Sequence, residues 1–256
     1  MANARAAGHG LDVLTLLARR GEPLPAATIA RELGLPRSSI YHLLTVLTSR
    51  GFVRHLPEER RYGLGVAAYE LGSAYQRQAP LQRAARRVID QLVDSTGHNA
   101  HLAVLHGRDV LYVIEQRAPG APHLVSDVGV RLPASLTATG LAMLAAMPAA
   151  QVRALYPGRD AFVQRDGRGP TSLVALRREL LTTRSRGYAL EDGLVTPGLA
   201  SVAAAVRDHN EYPVAAVAVT YPFEEAGDRS EGHAGAVVGA VRTSAELISR
   251  RIHGRG

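Results

Sequence analysis

The sequence predicts an α+β protein in three parts: a helical start carrying one β-hairpin, a helical connector, and a mixed domain of alternating strands and helices. Two observations carry this. Apolar residues recur every three or four positions as far as Asp94, interrupted by one hairpin signal around "PEER". Beyond "STGHN" the pattern changes to strand-length apolar runs alternating with helical ones. The parts are residues 1–65, 66–80 and 81–256.

Taking the elements in order, Leu11, Leu14 and Leu17 define a helix over residues 8–20, with Arg19 and Arg20 in its last turn and Gly21 after it. "EPLP" breaks it. Pro25 suits the first position of the next helix, Ala26 to Leu33, and Gly34 turns the chain. Pro36 opens a third helix that Gly51 closes. Phe52 to Arg54 and "RYGL" make a hairpin with a basic tip. A connector helix starts at Val66, with Val66, Tyr69, Leu71 and Tyr75 toward its apolar side, and Pro80 stops or kinks it. Leu81 to Asp94 is amphipathic, with Leu81, Ala84, Val88 and Leu92 on one side. "AHLAVLHGRDVLYVIEQR" is strand, turn, strand, followed by a loop from Ala118 to Gly129. "SLTATGLAMLAAM" is an apolar helix, "GRDAFVQRDGRGPT" a loop, and Ser172 to Ser185 an amphipathic helix. "GYAL", "LASVAAAVRDH" and "YPVAAVAVTYP" are strands, and Gly232 to Ile252 closes the chain as a helix.

Composition narrows the function classes. The chain has 256 residues, 46% of them hydrophobic, enough for a sizeable core. No apolar run reaches membrane-spanning length and no secretory leader opens the chain, so a soluble, cytoplasmic protein is expected. With no cysteine there is no disulfide, thiolate metal site or cysteine nucleophile. The net charge is +7 and every basic residue is arginine, the side chain that grips phosphate and carboxylate in a planar fork.

The stretch "LGLPRSSIYHLLTVLTSRGFV" gives the balance a purpose. Ile40, Leu43, Leu44 and Leu47 fall on one face of the third helix, and Arg37, Ser38, Ser39, Tyr41, His42 and Thr45 on the others. A major groove about 12 Å wide admits one helix, and small hydroxylic residues allow close approach to phosphates and base edges. Helix, turn, helix and then a hairpin bearing Arg54, Arg60 and Arg61 is the order of a winged helix-turn-helix.

At this point the chain resembles the IclR (isocitrate-lyase-regulator) family of bacterial transcription factors. The resemblance rests on "LDVLTLLA", "IARELGLPRSSIYHLLTVLTSRGFV", "RYGLG" and Leu71–Gly72, then on "TGHNAHLAVL", "GVRLPASLTATGLAMLA", "RGYALEDGLVTPGLASVAAAV" and "YPVAAVAVTYP". It implies an N-terminal winged helix on double-stranded operator DNA, a linker helix, and a C-terminal GAF/PAS-like domain that binds a small-molecule effector, often with repressor action. It also implies homodimers that pair into tetramers, and no cofactor.

A sensor needs a concave apolar site with a few placed polar groups. The helix start in "SLTATG" offers free N–H groups with Thr137 and Thr139. The resemblance adds Ala138, Glu191, Ser201, Ala218 and Thr220 as effector contacts. Ser201 and Ala205 stand where the family often has Cys and Pro. Ala138 and Ala218 leave room, which favours an organic or aromatic acid larger than a two- or three-carbon one. An enzyme with an appended DNA-binding domain is the rival reading. It needs clustered titratable groups, and the second domain offers only Glu191, Asp192 and scattered histidines. A second domain that only dimerises is a third reading. His98 and His101 lie three apart where a helix gives way to a strand, a spacing that sends them to opposite faces rather than to one metal ion.

Overall fold

The computed structural model describes residues 2–78, 80–121, 127–222 and 231–253. The chain divides into two compact units, Met1–Ala79 and Pro80–Gly256. The first contains α1 (Ala2–Arg20), β1 (Leu24–Pro25), α2 (Ala26–Leu33), α3 (Arg37–Ser49), β2 (Val53–Leu56), β3 (Arg61–Leu64) and α4 (Val66–Gln78). Val13 and Leu17 of α1, Ile29 of α2 and Ile40 and Leu44 of α3 form its core with Val53. Gly34 ends α2 in the left-handed region at φ 65°, and the N–H of Leu35 returns to the Ala30 carbonyl at 3.0 Å.

Pro25 does not take the first helical position. It precedes α2 in extended backbone, and with Leu24 it pairs to β3 in a three-stranded sheet of order β1-β3-β2. A strand of two residues is too short to leave a periodic signal. The start of α4 is tied to the wing: Gly65 N–H donates to Phe52 O at 2.8 Å and Ala67 N–H to Gly51 O at 3.1 Å. A Cβ at Gly65 would lie 2.9 Å from the Gly51 carbonyl carbon, so only glycine permits this approach. Of the apolar side expected of α4, Val66, Tyr69 and Leu71 are exposed, at 68%, 76% and 64%, and the side chain of Tyr75 lies outside the described residues.

The second unit contains α5 (Pro80–Thr96), β4 (Asn99–His106), β5 (Asp109–Gln116), β6 (Arg131–Pro133), α6 (Ala138–Ala146), α7 (Ala149–Leu155), α8 (Leu173–Arg186), β7 (Ala189–Asp192), β8 (Leu199–Arg207), β9 (Pro213–Pro222) and α9 (Glu231–Ile252). Its antiparallel sheet runs β6-β5-β4-β9-β8-β7. Strand alternation gives the sheet two apolar faces. Leu102, Val202, Val217 and Val219 pack with α5 and α9, whereas Ala103, Ala203, Ala216 and Ala218 pack with α6 and α8. Alanines on the second face let α6, buried along almost its whole length, lie close to the strands. The strand β6 and the helix α7 were not expected. β6 has three residues, and Pro148, expected only to stop α6, also caps α7. The loop expected over Ala118 to Gly129 lies partly outside the described residues.

Candidate nucleic-acid interface and effector cavity

Ile40 and Leu44 anchor α3 in the core, which turns the rest of the helix outward. Arg37, Ser38, Ser39, Tyr41, His42 and Thr45 are all exposed on it. No side chain caps the N-terminus of α3 among the described residues, and Arg37 in its first turn is exposed. The wing divides its three arginines. Arg54 and Arg60 are exposed. Arg61 is half-buried, and its Nη1 donates to the Pro23 carbonyl at 3.2 Å, tying the wing to the connection before α2. The hairpin is braced by a His55–Tyr62 ring stack at 4.5 Å. Arg60 holds the wing tip at φ 52°, in the left-handed region.

In the second unit, Thr137 starts α6: its Oγ1 accepts the Gly140 N–H at 3.0 Å. Gly140 lies so close to the preceding turn that a Cβ there would sit 2.6 Å from the Ala134 carbonyl carbon. Across the sheet, Glu191 pairs with Ser201, and Ser201 pairs with Thr220, which sets three polar residues in a row on adjacent strands. These elements enclose a cavity of about 20 Å³, room for about one water. Thr137, Ala138, Thr139, Glu191, Ser201 and Thr220 line it. The segment Val195, Thr196 and Leu199 closes its remaining side.

Ala218 does not reach the cavity. It pairs with His101 and is fully buried against α6, so it packs the core rather than enlarging the site. His101 and Tyr112 take up the space instead, their rings 5.1 Å apart edge to face. Neither was expected there. The available signal was the alternation along β4, which puts a histidine on the alanine face facing α6. His98 lies on the other side, 5.7 Å from Tyr221, so the sheet separates the two histidines.

The cavity is polar, and among the described residues no arginine lines it. Glu191 is 4% exposed. Burial pushes its pKa up, against the pull of two backbone N–H groups that its Oε1 accepts, from Leu194 and, at 3.0 Å, from Val195. Those bonds fasten the closing segment to the site. Ser201 Oγ lies 2.9 Å from Thr220 Oγ1. Burial lowers the His101 pKa to about 4 and raises that of Tyr112 to about 12, so both are neutral near pH 7. Among the described residues, Nδ1 of His101 has no hydrogen-bond partner. The lining therefore offers hydroxyls, a neutral imidazole and one carboxyl group, all suited to hydrogen-bonding an oxygen-rich ligand.

Comparison with known proteins accounts for both units. The IclR helix-turn-helix domain matches residues 6–57, and the bacterial transcriptional regulator IclR C-terminal domain matches residues 73–250. The glycerol operon regulatory protein of Streptomyces coelicolor is 33% identical over 97% of this chain and 96% of its own length. An IclR transcriptional regulator from Alicyclobacillus acidocaldarius superposes with a TM-score of 0.84 at 25% identity, covering 97% of this chain and 98% of that one. An IclR homologue from Microbacterium hydrocarbonoxydans, solved with 4-hydroxybenzoate, shares the fold with a TM-score of 0.78 at 22% identity, over 97% and 99% of the two chains. With both domains matched in order along nearly the whole chain, the protein belongs to the IclR family of bacterial transcriptional regulators, DNA-binding proteins with an effector-binding domain rather than enzymes.

Proposed function

We propose that this regulator reads a double-stranded operator with the outer face of α3 and the tips of its wings, and that a small organic or aromatic acid in the cavity at the start of α6 adjusts its grip. The observation that carries the first half is the division of α3, whose Ile40 and Leu44 are in the core and whose Arg37, Ser38, Ser39, Tyr41, His42 and Thr45 are exposed. Arg54 and Arg60 supply phosphate contacts, and Arg61 contributes from its tied position. The effector contacts are Thr137, Ala138, Thr139, Glu191, Ser201 and Thr220, joined by His101 and Tyr112. The related structure with 4-hydroxybenzoate supports an acid as ligand. Burial raises the pKa of Glu191 above its ordinary value, which eases the approach of a ligand carboxylate.

A cavity of about 20 Å³ is too small for such an acid, so binding selects a form in which the segment from Leu194 to Leu199 has moved aside. The regulator works as a homodimer or tetramer in the cytoplasm, where its operator lies. Val66, Tyr69 and Leu71 on α4, all exposed within one chain, form the surface a second copy covers. Residues 66–80 carry the effector's influence to the paired α3 helices. Fluorescence anisotropy on fragments upstream of the gene and its neighbours tests this directly. One fragment is expected to bind far more tightly than random DNA, with its affinity changed by an acid that also raises the melting temperature. Equal affinity for all fragments would refute operator reading. No thermal response to any acid would refute the effector half.

A further inference from the structure

We infer that a second pocket in the C-terminal unit, remote in its lining from the effector cavity, binds a small organic anion with an apolar body. The groove has a volume of about 540 Å³, within the range of small-molecule sites, and shares no residue with the cavity at the start of α6. Its floor is alanine: Ala142, Ala145 and Ala146 of α6, Ala204 and Ala205 of β8, and Ala245 of α9. Its polar lining has four arginines, Arg184, Arg207, Arg242 and Arg250, against Glu211 and Glu246.

Two of the arginines are committed to the fold. Arg184 donates to the Ala145 and Met147 carbonyls at the end of α6, and Arg207 Nη1 to the Glu211 carbonyl at 3.1 Å. Arg242 and Arg250, two turns apart on α9, have no hydrogen-bond or ion-pair partner among the described residues. Arg242 lies over Gly187, where an added Cβ would be 3.7 Å from its guanidinium carbon. Thr183, 3% exposed, also lines the groove, and its Oγ1 has no partner among the described residues. On the strand side, β7 pairs with β8 only as far as Ala203, and the edge beyond borders the groove. The fold has closed that edge at Arg207, whose N–H donates to Ser249 Oγ at 2.9 Å, and left it open at Ala205. An alanine floor takes an apolar body, and two free guanidinium groups take an acid group in planar, bidentate fashion.

The test is calorimetric titration of the full chain with naphthalene-2-carboxylate, against naphthalene-2-methanol as the neutral control. The carboxylate is expected to bind and the alcohol to bind at least about tenfold more weakly. Binding should survive Ser201→Leu, which fills the effector cavity. It should fall about tenfold or more in the Arg242→Ser/Arg250→Ser double variant, whose substitutions lie on an exposed helix face and leave the melting temperature unchanged. Ala205→Leu, which fills the floor, should abolish it. Equal binding of acid and alcohol, loss in Ser201→Leu, or full affinity in the double arginine variant would overturn the inference. So would a changed sedimentation mass of the double variant, which would make the groove a contact between copies. None of these outcomes bears on operator binding, which is measured separately.

Discussion

Arg60 allows the wing to be tested for charge and for backbone shape independently. It occupies φ 52°, a left-handed conformation that costs a residue with a side chain about 1–2 kcal/mol. Glycine relieves this but releases more entropy on unfolding, about 0.5–1 kcal/mol, so Arg60→Gly should stabilise the protein by up to about 1 kcal/mol. Arg60→Ala keeps the strain and should be close to neutral. Both remove the same charge. If Arg60 neutralises one phosphate, each substitution lowers the slope of log affinity against log salt by about 0.9 per wing. Between 50 and 200 mM salt, that makes the parent lose about 3.5-fold more affinity per wing than either variant. The assay is anisotropy on operator and random DNA across that salt range, beside thermal melts. Arg61→Ala is the control, because its bond to Pro23 makes it lower the melting temperature whatever it does to DNA. Unchanged slopes in both Arg60 variants would refute the wing contact. A glycine variant less stable than the alanine one would refute the strain.

Three further outcomes follow from the same geometry. Arg37→Ala should weaken operator binding about tenfold while changing random-DNA binding much less, as a base contact demands; equal losses on both, measured by competition, would reassign it to the backbone. Gly140→Ala should destabilise the second unit by about 1–3 kcal/mol or more, since the added carbon meets the backbone of Ala134, which has no rotamer to yield; a melt showing no loss would overturn that contact. His101 makes stability fall on acidification. The unfolded imidazole takes up its proton near pH 6.5 and the folded one not until about 4, so the folded state loses up to about 3 kcal/mol across that window. In His101→Leu, urea titrations from pH 7 to 4 should show that slope removed, and an unchanged slope would place its cause elsewhere.

The elements proposed to bind DNA were legible because each leaves a local mark. Gly34 and Gly51 bracket α3, its apolar positions recur at helical spacing, and "PEER" separates two short runs. Elements that exist only through partners left none. β1 and β6 are ordered by β3 and β5, and a few residues cannot display alternation. The row Glu191, Ser201 and Thr220 is a matter of register, which pairs residues far apart in sequence. Ala218 shows the limit of reading one strand alone. It shares a face with Thr220, yet lies one pair deeper, where His101 and α6 leave no opening. Likewise the exposed side of α4 carries the same apolar pattern as a buried one, since spacing says which residues share a face and not what covers it.

The glycine at position 65 removes the slack from one joint. Because its backbone presses on that of Gly51, and Ala67 is bonded to the same carbonyl, the first turn of α4 and the base of the wing behave as one brazed piece. In the function proposed above, a tilt passed along α4 moves the base of the wing with it, since no spare backbone lies at that joint. If two copies read one operator as proposed above, this joint turns a tilt of α4 into a change of phase against the turns of the double helix.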